Sequence, residues 1–330
     1  MTQEILREIT FSDATLEALS EEMAGDPSIF VVGEGIGPRG GNFKTTVGLY
    51  EKYGALRLCD TPIAERGFVG LCIGAAMAGA RPVADFMFVD FILDAMGEIV
   101  NQAAKIQYMS SGRLTMPLVL RGCMGAGNST STHHSGSYYS MFAHIPGLRV
   151  AVPSNPYDAK GLLKTAIRSD DPVVFLEHKL LLNQQGQVPD GEYTVPFGKA
   201  DIVQPGNDVT VVALSVMVWH AIEAANELTQ DDISIEIVDP RTVAPLDVDT
   251  ILESVRKTGR LLIVEESYGP CGIGSEIAAQ VQERGFDDLD APVYRLNGAH
   301  TPVPYSPPLE QDVIPNSETI IEAVRNLLAE

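Results

Sequence analysis

What most restricts the fold of this chain is a repeated alternation between short β-rich runs and longer stretches of helical periodicity. IFVVGEG, RLCDTPI, RPVADFM, MPLVLRG, LRVAVP and VVFLEH read as strands, and several are separated by helical patterns such as Glu65 to Gly79 and Phe91 to Ser110. That alternation is the signature of an α/β fold on a largely parallel sheet. Near Gln184 it lapses into NQQGQVPDGEYTVPFGKADIVQPGND, rich in Gly, Pro, Asn and Asp, where neither period survives for long. The alternation then restarts with VTVVALS, a helix from Val218 to Leu228, SIEIVDP, a helix start near Pro245, RLLIVEES, a helix from Gly274 to Arg284, VYRLNG and a closing helix from Ser317. The expected organisation is two α/β domains, 1–185 and 205–330, joined by a linker over 186–204.

Composition excludes several function classes. With 330 residues and 45% hydrophobic content the chain can bury a substantial core. Its longest apolar run, Phe68 to Ala80, falls short of the roughly 20 residues of a membrane span. The first residues lack the basic start and apolar core of a secretory signal and are too acidic for an organelle transit peptide, so the cytoplasm is the expected location. Cys59, Cys72, Cys123 and Cys271 are far apart among apolar neighbours and read as reduced core residues. A formal charge of -21 would repel a nucleic acid backbone or an anionic membrane; a dispersed acidic surface usually serves solubility alone, with a basic protein partner as the alternative.

Three segments have the residue types that chemistry needs. Gly35, Gly37 and Gly40 satisfy G-x-G-x-x-G after the strand IFVVGEG, but no apolar-periodic helix opens at the third glycine, so a dinucleotide site is not expected. Asp60 to Glu65 puts a carboxylate where a strand gives way to a helix of small residues. Such a helix permits close backbone approach and would bury Glu65, raising its affinity for a proton. Against that stands a plain helix-start acid interacting with the macrodipole. Glu34 is a second acid at a strand end, so two carboxylates can converge on one crevice at the carboxyl edge of the sheet. Finally, GCMGAGNSTSTHHSG follows the strand MPLVLRG; its adjacent His133 and His134 suit a general acid or an anion-orienting donor better than a metal site.

Together these residues resemble a known family. GEG at 33–35, DTPIAERGFVGLCIGAAMAGARPVADFMFVDF at 60–91, NQAAK at 101–105, RGCMGAG at 121–127, HHSG at 133–136, IPGLRVAVPSNPYDAKGLL at 145–163 and DPVVFLEHK at 171–179 are similar to the beta subunit of the decarboxylating first component of 2-oxo acid dehydrogenase complexes. In the second domain VDPRTVAPLD, RLLIVEES and AHTPVPYSPPLEQDVIP continue the match, and the fine grain is nearest to pyruvate and acetoin dehydrogenase beta chains.

The resemblance implies a transketolase-like pyrimidine-binding domain followed by a transketolase C-terminal-like domain, assembled as two alpha and two beta chains. It implies thiamine diphosphate as cofactor, with diphosphate and magnesium held by the alpha chain through a Gly-Asp-Gly motif, which is absent here. It places Glu65 on the ring nitrogen of the cofactor's aminopyrimidine, Phe91 against that ring, Glu34 as a second cofactor-proximal acid, and His134 in acyl transfer to the lipoyl group of an acyltransferase core. It implies a 2-oxo acid or acetoin as substrate. It also matches Leu118, Ala166, Ile167, Ser169 and Asp171 to a structural potassium site. Two departures stand out: the family's Gln-His-Ser-Gln reads His133-His134-Ser135-Gly136, and the acid pair after Gly33 is reduced to Glu34-Gly35. They leave two further readings open, a split transketolase-type carboligase with an aldehyde acceptor and a non-catalytic scaffold for the alpha subunit.

Overall fold

A computed structural model describes residues 6–330 and divides them into two compact units. The first comprises residues up to Met124 together with Met141–Phe197, and the second comprises Gly125–Ser140 together with Gly198–Glu330. In the first unit the parallel strands lie in the order Arg149–Ala151, Val173–His178, Val119–Met124, Arg81–Phe88, Ile29–Gly33, Leu58–Asp60. Val119–Met124 and Val173–His178 are buried at every position, as central strands covered on both faces must be. One face carries Phe11–Gly25 packed on Pro156–Arg168, and their apolar sides meet Ile29, Val31, Val119 and Phe175 in a continuous core.

The second unit holds a five-stranded sheet in the order Tyr294–Gly298, Leu261–Tyr268, Val209–Ala213, Ile235–Asp239, Asp201–Gln204, with only the last strand antiparallel. Two of its helices begin at capping side chains: Asp247 accepts from the Thr250 backbone N–H ahead of Val248–Thr258, and Asn316 and Thr319 form a capping box ahead of Ser317–Ala329. Among the described residues no helix is long and apolar enough to cross a membrane.

Three regions differ from the sequence reading. The segment 186–204 has a strand at each end: Gln185–Pro189 pairs antiparallel with Leu6–Thr10, and Asp201–Gln204 is the edge strand of the second sheet. The stretch from Phe91 to Ser110 is not one helix. It breaks into a 3-10 turn over Val89–Ala95, short α-turns at Met96–Glu98 and Ile106–Met109, and a π-turn over Ile99–Ala103, none with a side-chain cap. Cys72 and Cys123 are core residues, but Cys59 is half-buried and Cys271 exposed, because Cys271 sits in a left-handed turn (φ 58°) after the strand Leu261–Tyr268.

Candidate active site

Parallel strands end together at one edge of the first sheet, and register fixes what stands there. Gly33 is opposite both Asp60 and Asp85. A Cβ on Gly33 would fall 2.2 Å from the Asp85 carbonyl oxygen, so only glycine lets the strands approach this closely. Glu34 follows at once, and its carboxylate is influenced by the backbone N–H of Ala64, the residue before the helix Glu65–Met77. Asp60 accepts from the Gly35 N–H at 2.7 Å, with Gly35 in the left-handed region at φ 67°. The loop beyond is built on further left-handed glycines, Gly40 and Gly41, and Gly41 N–H donates back to the Gly35 carbonyl at 2.9 Å, so the G-x-G-x-x-G segment is a closed turn with no helix at its third glycine.

Glu65 opens its helix and is buried, at 6% exposure. Burial first, then the negative charge of Glu65, with Asp60 contributing less, raises the pKa of the Glu34 carboxyl, although the Ala64 N–H opposes them. Glu34 Oε1 is buried without a hydrogen-bond partner, as is the Thr61 hydroxyl. Buried polar atoms without a partner next to two neighbouring carboxyls suit a polar ligand. Phe91 lies in the Val89–Ala95 turn, on which the Glu65 helix packs. Its ring meets Phe88 edge-on (centroids 6.4 Å, 85°), and Phe88 meets Phe43 in the same way (5.0 Å, 80°). Asp85 stiffens this end of the sheet by accepting from Thr45 at 3.1 Å and from the left-handed Met87 N–H at 2.9 Å.

Glu34, Glu65 and Phe91 therefore share one unit, whereas His134 belongs to the other, half-buried on the 3-10 turn Thr132–His134. At the matched potassium positions the carbonyls of Leu118, Ala166, Ile167 and Ser169 each have a hydrogen-bond partner within the chain. The Leu118 carbonyl accepts from the Val173 N–H at 2.9 Å and the Ala166 carbonyl from the Ser169 N–H at 3.2 Å. Those of Ile167 and Ser169 accept from the Arg81 guanidinium at 3.0 and 3.1 Å, and Asp171 pairs with Arg149 at 2.9 Å. The Arg81 guanidinium brings positive charge to these two carbonyls from within the chain.

Residues 7–185 match the family described as transketolase, pyrimidine binding domain, and residues 198–320 match transketolase, C-terminal domain. The acetoin:2,6-dichlorophenolindophenol oxidoreductase subunit beta of Cupriavidus necator is 46% identical over 332 residues, covering 98% of this chain and 98% of that protein. The pyruvate dehydrogenase E1 component subunit beta of Rickettsia bellii is 45% identical over 320 residues, covering 97% of this chain and 98% of that one. The chain belongs to this family of dehydrogenase beta subunits. It is a subunit of an oxidoreductase with two transketolase-like domains, as its motifs implied. A solved split-gene transketolase, an inactive beta4 tetramer, covers 97% of this chain and is itself covered to 98%, with a TM-score of 0.78 at 23% identity, and shows the shared fold.

At one departure from the family motif, Gly136, a Cβ would lie 2.1 Å from the Tyr138 ring, so a side chain there requires that ring to move. Sequence reasoning missed Thr61 and Asp85. Thr61 stands inside the DTPIAE motif next to the chosen Glu65, so proximity was a usable signal, but Asp85 acts through a turn that no local pattern reveals.

Proposed function

We propose that this beta subunit holds the pyrimidine end of thiamine diphosphate in a pyruvate- or acetoin-cleaving dehydrogenase, and that an alpha subunit completes the site. The observation that carries this reading is the Glu34–Glu65 pair: two coupled carboxyls at a strand edge, with one buried oxygen lacking a partner. Thiamine diphosphate, when bound, supplies the electron sink for breaking a bond beside a carbonyl. Glu65 offers a buried carboxyl to hydrogen-bond a heterocyclic nitrogen and move a proton there. Burial, and then the charge of Glu65, raise the affinity of Glu34 for a proton, so the second carboxyl of the site also favours exchange with a ligand. Phe91 offers an aromatic face to a flat ring.

His134 is the acid, or the anion-orienting donor, for acyl transfer to a lipoyl group carried by an acyltransferase core. Diphosphate and magnesium fall to the alpha chain, because no Gly-Asp-Gly occurs here. The uncovered outer side of the Glu65 helix, with Leu71 at 53% and Met77 at 42% exposure, suits that partner in a heterotetramer of two alpha and two beta chains in the cytoplasm. A surface with net charge -21 suits a basic docking segment of the acyltransferase.

Co-expression with an alpha subunit tests the reading. Thiamine diphosphate should bind the assembled pair and neither chain alone, and dye reduction with pyruvate and with acetoin names the substrate. Lipoyl acylation should accompany turnover. Turnover that passes its product to an aldehyde instead would identify the carboligase, and an assembled pair that binds cofactor but turns over neither substrate would identify the scaffold.

A further inference from the structure

The loop that carries His133 and His134 is held by side chains that no local sequence pattern connects to it. From 125 to 131 its backbone is left-handed at Gly125, Gly127, Asn128, Ser129 and Ser131, with φ of 93°, 116°, 60°, 51° and 66°. Three of these are not glycine, and such conformations persist only where the surroundings over-determine them. Backbone N–H groups exposed by such a turn can bind an anion. Here the anion is internal. The carboxylate of Glu310, 7% exposed, accepts from the Gly127 N–H at 2.8 Å through one oxygen and from the Ser129 N–H at 3.1 Å through the other.

A second carboxylate closes the base of the loop. Glu266, 8% exposed, uses the same oxygen, Oε1, to accept from the Ala126 N–H at 2.7 Å and from the Ser137 hydroxyl at 3.0 Å, joining the two feet of the loop at one atom. The Gly125 N–H donates to the Gly136 carbonyl at 2.9 Å across the same gap. At the crest, the Thr132 hydroxyl donates to the Val303 carbonyl at 3.1 Å. All these groups lie within the second compact unit. Charge-assisted hydrogen bonds to buried carboxylates are the stronger kind, and together they set the height and tilt of the turn that presents the histidines.

We infer that Glu310 and Glu266 are positioning residues for acyl transfer: a carboxylate clamp that fixes the His133-His134 turn without touching the reacting atoms. The inference rests on the proposed role of His134 in passing an acyl group to a lipoyl sulfur. It predicts that loosening the clamp separates the two half-reactions, because cleavage depends on the Glu34–Glu65 crevice in the other unit.

The test compares wild type, Glu310→Gln and Glu266→Gln in the complete alpha–beta assembly loaded with thiamine diphosphate. The Gln variants keep side-chain volume, remove the charge and convert one acceptor oxygen to a donor. Amide hydrogen exchange over residues 126–137 should speed by about tenfold or more in either variant. Lipoyl-domain acylation should fall by about tenfold in kcat, while dye reduction with the small substrate stays within about twofold. Unchanged exchange, a parallel fall of both activities, or a loosened loop with full acylation would each overturn the clamp. If the wild-type assembly acylates no lipoyl domain, the parent reading has failed. The clamp is then decided by exchange and by the 15N shifts of the His134 imidazole, where movement in Glu310→Gln supports it and constancy in both measurements sinks it. Should Glu310→Gln fail to fold, Glu266→Gln carries the same comparison alone.

Discussion

Two helices of the first unit are each 13 residues long and make opposite use of small residues. Pro156–Arg168 is complete within the chain. Asn155 caps it by accepting from the Asp158 N–H at 2.9 Å, and Lys160 and Lys164, both fully buried, end on Glu17, Glu21 and Glu192. Its Gly161 is required from inside: a Cβ there would meet Val195 Cγ2 at 2.5 Å and Tyr193 Cε2 at 2.9 Å. Glu65–Met77 has no side-chain cap, and Gly70 and Gly74 have nothing within 4 Å of where a Cβ would stand. Each glycine costs a helix about 1 kcal/mol relative to alanine. At position 161 that cost is explained by a neighbour in the same chain. At 70 and 74 no neighbour in this chain explains it, and close approach of the proposed alpha subunit is the explanation to test.

The largest expected effect separates function from stability on the second helix. Glu65→Gln in the assembled enzyme should lower turnover by about 100-fold or more, since the amide cannot hold and release the proton, while the chain unfolds at the same urea concentration as wild type within error. Residual activity above about a tenth of wild type would remove Glu65 from the chemistry. On the first helix the burden falls the other way. Gly161→Ala should destabilise the chain by about 1–2 kcal/mol, the overpacking penalty less the gain in helix propensity, with the activity per folded molecule unchanged. A neutral urea midpoint would show that Val195 and Tyr193 yield freely and that the packing contrast is weaker than drawn.

Gly70→Ala and Gly74→Ala make the reverse test. In the chain purified without a partner each should raise stability by up to about 1 kcal/mol. In the assembled enzyme each should weaken association, seen as a higher dissociation constant for the alpha chain. Stabilisation with unaltered assembly would leave these glycines without an explanation in either setting.

How much of this was legible in the sequence follows from where each partner lies along the chain. The parallel sheets show because strand and helix alternate locally, and Glu65 shows because the strand end, the carboxylate and the small-residue run are contiguous. The pairing of Arg121 with Glu177 at 2.6 Å, both 1% exposed, does not, since it forms only once two strands 56 residues apart lie side by side. The acids under the histidine loop are hidden for the same reason: Glu266 and Glu310 stand in motifs already singled out, yet 140 and 183 residues from the amides they hold. The broken stretch from Phe91 onward is not legible because apolar spacing alone cannot tell an α-turn from the 3-10 and π-turns that an uncapped segment adopts.

The smallest expected effect is a difference in sign. Glu34, near the Glu65 helix, has its folded pKa raised from 4.5, by burial and then by the charge of Glu65. Its contribution to stability is therefore fully present below 4.5 and is lost as the pH rises through the folded value. Glu192, beside the Pro156–Arg168 helix, has its folded pKa lowered from 4.5 by the hydrogen bond from Lys164, with Arg168 adding to it against a smaller burial cost. Its contribution is present above 4.5 and is lost as the pH falls through the folded value. Urea unfolding between pH 3 and 7, with Glu34→Gln and Glu192→Gln each subtracted from wild type, should give difference curves of opposite slope. The Glu192 curve should also flatten in high salt, because that residue is 61% exposed and its pairs are screened, whereas the Glu34 curve should persist. Curves of the same sign would mean that the crevice around Glu34 is as well solvated as the surface network, and the case for a buried, proton-holding pair beside Glu65 would fall with it.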